Sequence, residues 1–173
     1  MKRISIIGPA GSGKSTLAVK LGKILNLPVY HIDAVKEQID KIADGEEWII
    51  DGNKIATLEK RVRCSDSVIF LNFPVEFCIS SVNQRDNSTR LGSPKVVGLS
   101  DDEFRSYCLN VLANWHSEKG EAIKALAEKY KHKFTELKTR EEVNEYVNKL
   151  KARLLKSQRQ NLVHCQDDII DFP

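Results

Sequence analysis

The sequence predicts an α/β protein with a five-stranded parallel sheet and helices on both faces of that sheet. Short, continuous apolar segments alternate with segments in which apolar residues recur every three or four positions. The first pattern is typical of buried strands and the second of amphipathic helices. Because the two patterns alternate along the whole chain, neighbouring strands are expected to be parallel and connected by helices.

Composition is that of a soluble globular protein. The chain has 173 residues, 41% of them hydrophobic and 29% charged, which fits one domain with a sizeable core. A formal net charge of +3 is too small to indicate nucleic-acid binding by itself. We predict one domain at 1–155, followed by a tail at 156–173 whose structure the sequence does not indicate.

Cysteine spacing and hydropathy exclude several further classes. The four cysteines lie far apart without a CxxC pair, which argues against a zinc site and a disulfide scaffold and favours reduced thiols. The segment before Gly8 is too short for a signal sequence, and no apolar run approaches the length of a membrane span. The protein is therefore expected to be soluble and cytoplasmic, without a membrane partner.

The first half of the chain holds three strand and helix pairs. The segment RISII is a strand that ends at Gly8, and the next helix is expected to stop at Asn26, because Pro28 disfavours a helical conformation of the residue before it. The next predicted elements are a strand at 28–33, a helix at 34–43, a strand at 47–52 and a helix at 56–64.

The middle of the chain begins with its most continuous apolar run, a strand at 67–73. Pro74 fits the first turn of a helix that follows to residue 85. Residues 86–99 contain Gly, Pro and Ser without periodicity and are predicted to be a loop.

The last part of the chain is predicted to be helix, strand and helix. Ser100 and Glu103 have the spacing of a capping box, which starts a helical region through Tyr130 with a break near Gly120. A strand at 132–137 follows, and Thr139 with Glu142 forms a second capping box that opens a helix. Residues 161–173 are expected to be a strand or disordered.

The segment GPAGSGKS, which starts at Gly8, matches the phosphate-binding pattern GxxxxGK[ST] completely. Glycines let backbone N–H groups converge on phosphate oxygens, and the following helix turns its positive end toward the same anion. Lys14 is expected to reach the β and γ phosphates, and Ser15 to offer its hydroxyl to Mg²⁺. The predicted nucleotide-binding residues of this loop are Gly8, Pro9, Ala10, Gly11, Ser12, Gly13, Lys14, Ser15 and Thr16.

Other motifs narrow the class of phosphate-loop protein. The chain has no [NT]KxD motif, the guanine-selecting sequence of GTPases, because the segments NKIA and NKLK both lack the aspartate. It is also short for a helicase or transporter ATPase domain. Among the phosphate-loop proteins considered, the small nucleotide and metabolite kinases are therefore the class that remains.

Four segments carry a resemblance to one such group: the segment at 6–34 that includes VYHIDA, then WIIDGN, SDSVIFLNFP and FTELKTREEVNEYV. The chain resembles the adenylate-kinase-like P-loop kinases over residues 1 to about 150. Within them it resembles most the DNA topology modulation protein group, relatives of shikimate, gluconate and adenylate kinases. The resemblance implies a three-layer P-loop nucleoside triphosphate hydrolase fold with a small lid at 86–99.

The resemblance also implies roles at the ends of the second and third strands. Asp33 would orient the acceptor or a Mg²⁺-bound water, and Asp51 would act on Mg²⁺ through water. Asn53 and Arg61 would face the acceptor, Arg61 as a phosphate clamp. Simpler interpretations stay open, because Asp33 could cap a helix and Asp51 could be a structural hydrogen-bonding residue.

Further roles fall outside these strands. Arg85 and Arg90 resemble lid arginines that close over the transferring phosphate, which guanidinium suits through bidentate pairing. Lys138 and Arg140 would lie beside the adenine base. His31 is either a catalytic base or a packed core histidine, and the second interpretation is favoured.

The acceptor side departs from the pattern of the resembled group. Between Asp33 and Trp48 this chain has the short segment AVKEQIDKIADGEE, without aromatic residues or arginine, where that group has a longer, aromatic-rich insert. Two interpretations follow: a different or smaller acceptor, or loss of the transfer step.

The sequence thus supports two functions. The favoured one is an ATP-dependent kinase that uses Mg²⁺ to transfer the γ-phosphoryl group to a small hydroxyl- or phosphate-bearing acceptor, working as a monomer or homodimer. The alternative is a nucleotide-binding regulatory module that contacts nucleic acid through a basic C-terminal helix carrying Lys149, Lys151, Arg153, Lys156 and Arg159. Simple ATP hydrolysis ranks third, because no residue clearly positions an attacking water.

Overall fold

The structure, a computed structural model, describes residues 1–32, 34–35, 38–84 and 100–167, and gives only the backbone of 116–118 and 161–167. It divides into two compact units, the first comprising residues 1–139 and the second beginning at Arg140. Within the described ranges, no helix is long and apolar enough to cross a bilayer.

The first unit contains a five-stranded parallel sheet in the order β2-β3-β1-β4-β5. The central strand β1 is buried at Ile4, Ile6 and Ile7. This confirms the predicted sheet, and strands buried on both faces explain its continuous apolar runs. The strands are β1 (Arg3–Ile7), β2 (Val29–His31), β3 (Trp48–Asp51), β4 (Ser67–Leu71) and β5 (Phe134–Leu137).

Helices connect the strands as the alternating pattern predicted. They are α1 (Lys14–Leu25), α2 (Ile39–Ala43), α3 (Ile55–Cys64), α4 (Val75–Asn83), α5 (Asp101–Ala113) and α6 (Glu121–Lys129), with a π-helix at Trp115–Gly120 and a 3₁₀ turn at Lys131–Lys133. The capping box of Ser100 and Glu103 is present at the start of α5. The expected break near Gly120 is the π-helix that separates α5 from α6.

Two clusters of side chains fix the helices on the sheet. On one face, Leu58 and Val62 of α3 pack with Ile7, Trp115 and Ile123. Because strand side chains alternate, Ile6 points to the face opposite Ile7. Helix α1 packs along β1 and β3. The second cluster covers the end of the sheet at β2 and β3 and joins Ile39 and Ala43 of α2 to Trp48 and Ile50.

The described part of the second unit is one helix, α7 (Arg140–Asp167). The expectation of a strand or disorder after residue 160 was wrong for 161–167, which are helical. The preceding residues KARLLKSQRQ consist mostly of strong helix formers, and no Gly or Pro follows before Pro173, so no residue type ends the helix there. The predicted domain end at 155 falls inside this helix and stays a prediction.

Candidate functional site

The loop between β1 and α1 closes around one backbone carbonyl. Pro9 O accepts hydrogen bonds from Ser12 Oγ and from Lys14 Nζ, each at 2.8 Å. Gly11 has a φ of +83°, and a Cβ added there would overlap the carbonyl oxygen of Cys78 on α4. A larger residue at this position would push the loop away from α4, so the glycine sets how closely the loop lies against that helix.

The start of α1 faces the loop without an acidic side chain. Gly13 is the N-cap in a left-handed conformation, and it provides no side-chain cap. The first turn of α1, which is fully described, contains no Asp or Glu. The positive end of the helix and its first N–H groups are therefore available to an anion, as phosphate binding requires.

Asp51 joins the loop to the carboxyl ends of two strands. The sheet register pairs Asp51 with Ile6 of β1 and with His31 of β2, which brings these strand ends together. Ser15 Oγ donates to Asp51 Oδ2 at 2.6 Å, and His31 Nδ1 lies 2.6 Å from Asp51 Oδ1. The Asp51 residue is 3% exposed, and these two partners offset the cost of burying its carboxylate.

The turn after β3 is tied to the start of the phosphate loop. Asn53 Nδ2 donates to Gly8 O, and Gly8 N donates to Asn53 Oδ1 at 3.2 Å. Gly52 has a φ of +131°, and a Cβ there would overlap Ile32 Cγ2. Asn53 lines the cavity described below, but its amide is engaged with the loop backbone at both ends.

Arg61, predicted to clamp the acceptor, lies inside the protein instead. It is 0% exposed, and its Nη2 donates to Gly52 O at 3.1 Å. Its Nε and Nη1 have no hydrogen-bond partner in the described part of the chain. Burial lowers the pKa of the Arg61 guanidinium to about 10, and the negative charge of Asp51 opposes that shift. Arg61 therefore supports the Gly52 turn from below rather than lining the cavity.

A cavity of about 370 Å³ opens where these elements meet. Its volume falls in the range typical of small-molecule sites. One wall is the phosphate loop with the ends of β2 and β3, and the opposite wall is α5. The lining residues are Ala10, Gly11, Gly13, Lys14, Ser15, His31, Ile32, Asp51, Gly52, Asn53, Lys54, Phe104, Tyr107, Cys108, Val111 and Lys119.

Sequence reasoning missed the second wall and Lys119. Phe104, Tyr107, Cys108 and Val111 recur at the spacing of one helix face, and that stripe could have been noticed after the capping box. Its direction toward the phosphate loop could not be read from the pattern. Lys119 gave no signal, because it lies in a π-helix, which follows a different period from the flanking α-helices.

Two of the predicted residues in the first unit, Thr16 and Lys138, are not among those that line this cavity. Lys138 Nζ lies 3.6 Å from Glu136 Oε2 on the sheet edge, and Arg140 begins α7 in the second unit. Thr16 is exposed on α1. Asp33, Arg85, Arg90 and the predicted lid at 86–99 lie outside the described residues.

The donor set suits a magnesium ion held together with phosphates. In the described ranges, no group of three His, Cys, Asp or Glu side chains could hold a metal alone. Mg²⁺ is usually bound through one or two protein oxygens, while waters and substrate phosphates supply the rest. The Ser15 hydroxyl and the Asp51 carboxylate, 2.6 Å apart, fit that donor set.

Comparisons with known proteins agree on the fold. Two solved structures are similar to this chain, each with a TM-score of 0.52 and 16% sequence identity. The shikimate kinase from Bacteroides thetaiotaomicron matches 88% of this chain and 98% of its own. The shikimate kinase from Acinetobacter baumannii in complex with shikimate matches 91% of this chain and 94% of its own.

The chain has the fold of the small P-loop kinases. No family model matches the sequence, and no curated protein matches it as a relative. At 16% identity the similarity concerns the fold alone, and the resemblance to the DNA topology modulation protein group stays a prediction.

Proposed function

We propose that the protein is an ATP-dependent phosphotransferase that transfers the γ-phosphoryl group of Mg-ATP to a small acceptor with a hydroxyl or phosphate group. One observation carries the proposal: the cavity has the phosphate loop on one wall and a separate helix, α5, on the other. The second wall gives an acceptor a surface to bind beside the phosphates.

The loop wall supplies the electrostatics of the reaction. Lys14 and the N-terminus of α1 offer positive charge where the transferring phosphate gains negative charge. When bound, Mg²⁺ would neutralise phosphate charge, and Ser15 with Asp51 would hold it. His31, fixed by Asp51, lies in the same cavity and could orient the acceptor.

The phosphoryl transfer forms one bond and breaks one. An acceptor oxygen bonds to the γ-phosphorus, the bond from that phosphorus to the bridging oxygen of ADP breaks, and any acceptor proton passes to a base or to solvent. The motifs quoted above support grouping the protein with the adenylate-kinase-like kinases of the DNA topology modulation protein group.

The test is Mg²⁺-dependent ADP release from ATP, first without an acceptor and then with nucleoside monophosphates, nucleosides and polyol acids including shikimate. We expect acceptor-dependent turnover in the wild type and a loss of at least about 10²-fold in Lys14→Ala. Lys20→Ala, which changes an exposed lysine on the same helix, is the matched control.

Tight ATP binding without turnover across the panel would contradict the proposal. It would favour the nucleotide-binding regulatory module instead. ADP release that no acceptor accelerates would indicate simple hydrolysis.

A further inference from the structure

The π-helix at Trp115–Gly120 connects α5 to α6 and brings one lysine to the cavity. At its start, Trp115 is 1% exposed and packs in the cluster with Ile7, Val68 and Ile123. Near its end, Lys119 lines the cavity wall. Short π-helical segments frequently occur at functional sites, because they shift the direction of the residues that follow.

Among the described residues, the Lys119 side chain differs from those of its lysine neighbours. Within those ranges it forms no ion pair and no side-chain hydrogen bond. By contrast, Lys124 Nζ lies 3.2 Å from Glu121 Oε1, and Lys129 Nζ lies 2.8 Å from Glu59 Oε1. Lys119 is a half-buried residue that lines the cavity, and its side chain has no acidic partner among the described residues, so it is suited to bind an anion from solution.

The wall next to Lys119 is apolar. Phe104, Tyr107, Cys108 and Val111 line the cavity along one face of α5, over roughly 10 Å of helix. Tyr107 is 59% exposed, so a large aromatic surface faces the open side of the protein. Hydrophobic and aromatic side chains line most small-molecule sites, where a few polar groups fix the orientation of the ligand.

We propose that the acceptor is an anion with a planar, apolar body: Lys119 binds its charged group, and the α5 stripe of Phe104, Tyr107, Cys108 and Val111 covers its body. This inference rests on the proposed function, because it names the acceptor class of the same cavity. A polyhydroxylated body would lie poorly against this stripe, since Phe104 and Val111 offer its hydroxyls no hydrogen-bond partners.

Binding to protein saturated with ADP and Mg²⁺ tests the inference without needing turnover. Isothermal titration calorimetry compares three probes: phenyl phosphate, which is an aromatic monophosphate, phenol and shikimate. We expect phenyl phosphate to bind at least about tenfold more tightly than phenol or shikimate in the wild type. Lys119→Met should remove the preference for the monophosphate over phenol, whereas Lys119→Arg and the control Lys124→Met should keep it.

Several results would overturn the inference. Equal affinity for phenyl phosphate and phenol would contradict the anion site, and shikimate binding as tightly as the monophosphate would contradict the planar, apolar body. A Lys119→Met variant that binds ADP more weakly but keeps its probe affinities would assign Lys119 to the nucleotide. Absence of binding by all three probes would also overturn the acceptor class.

The two proposals can fail separately. Lys119-dependent binding of the monophosphate without phosphoryl transfer to any acceptor would retain this site and reject the kinase function. Transfer to a neutral acceptor that is insensitive to Lys119→Met would retain the kinase function and reject this inference.

Discussion

The two walls of the cavity are built in different ways. On the loop wall, polar atoms are fixed by short hydrogen bonds: Ser12 and Lys14 to Pro9 O, and Ser15 to Asp51. On the α5 wall, the lining side chains are mainly apolar, and Tyr107 is 59% exposed, against 3% for Asp51. Backbone and buried polar groups thus form the loop wall. The α5 wall is formed by side chains on one helix face, which can be substituted without changing the backbone.

Under the proposed function, the loop wall serves the transfer reaction itself and the α5 wall selects the acceptor. A change in the loop wall should lower transfer to every acceptor, because it alters charge or position at the phosphates. A change in the α5 wall should alter the ranking of acceptors and leave nucleotide binding intact.

The largest effect is expected for Asp51→Asn. This substitution keeps the shape but removes the charge that pairs with Ser15 and His31, so kcat/KM should fall by about 10²-fold or more for every acceptor. Steady-state kinetics at several Mg²⁺ concentrations measure it. Asp44→Asn, which changes an exposed carboxylate paired with Lys60, is the control. Turnover within a factor of two of wild type would show that the loop wall does not depend on this carboxylate.

A smaller, selective effect is expected for Tyr107→Ala. Removing an aromatic surface from the α5 wall should raise KM for acceptors with planar bodies by roughly tenfold and leave KM for ATP unchanged. Leu109→Ala, on the same helix but not in the cavity lining, should leave both constants near wild type. A uniform loss for all acceptors, together with a lower Tm, would mean that the wall only supports the fold.

The smallest effect is expected for Arg61→Met. Arg61 is fully buried, and two of its nitrogens have no hydrogen-bond partner among the described residues. An apolar side chain of similar length should therefore leave the free energy of unfolding at pH 7 unchanged or raise it by up to about 2 kcal/mol. Turnover should fall by only about three- to tenfold, through loss of the bond to Gly52 O. Thermal unfolding and kinetics measure both, with exposed Arg63→Met as the control.

The difference in the free energy of unfolding between wild type and Arg61→Met should also depend on pH. Burial lowers the pKa of Arg61 in the folded protein to about 10, so above that pH the unfolded chain holds a proton that the folded protein has released. Stability rises with pH wherever the unfolded state binds more protons. Wild type should therefore gain about 1 kcal/mol over Arg61→Met between neutral pH and about pH 10.5. A constant difference would show that the guanidinium is solvated in the folded protein.

The loop wall was largely predictable from the sequence. The spacing of Gly8, Gly13, Lys14 and Ser15 between a strand and a helix predicts the loop, and parallel strands bring their carboxyl ends to one edge. The resemblance to the adenylate-kinase-like kinases implied in addition that Asp51, at the end of the third strand, would act on Mg²⁺. It did not indicate that His31 would share the Asp51 carboxylate, because the partner depends on the register of β2 against β3.

Arg61 and Lys119 show the limit of reasoning from residue type. An arginine after the third strand suggested a phosphate clamp, but the helical position of Arg61 turns it into the protein beneath Gly52. Lys119 lies in a stretch of basic residues that the sequence alone presents as a solvated helix face. The π-helix changes the direction in which the side chains of this segment point, and the sequence pattern does not reveal that change.

By itself, the sequence determined the fold class, the phosphate loop and the position of Asp51 at a strand end, because hydrophobic periodicity and glycine spacing are local properties. Only the tertiary structure decided which helix closes the cavity and which basic side chain reaches it. The facing of α5 toward the loop, like the burial of Arg61, depends on how helices pack across a sheet. Packing of that kind joins residues far apart in the chain, and their spacing in the sequence does not encode it.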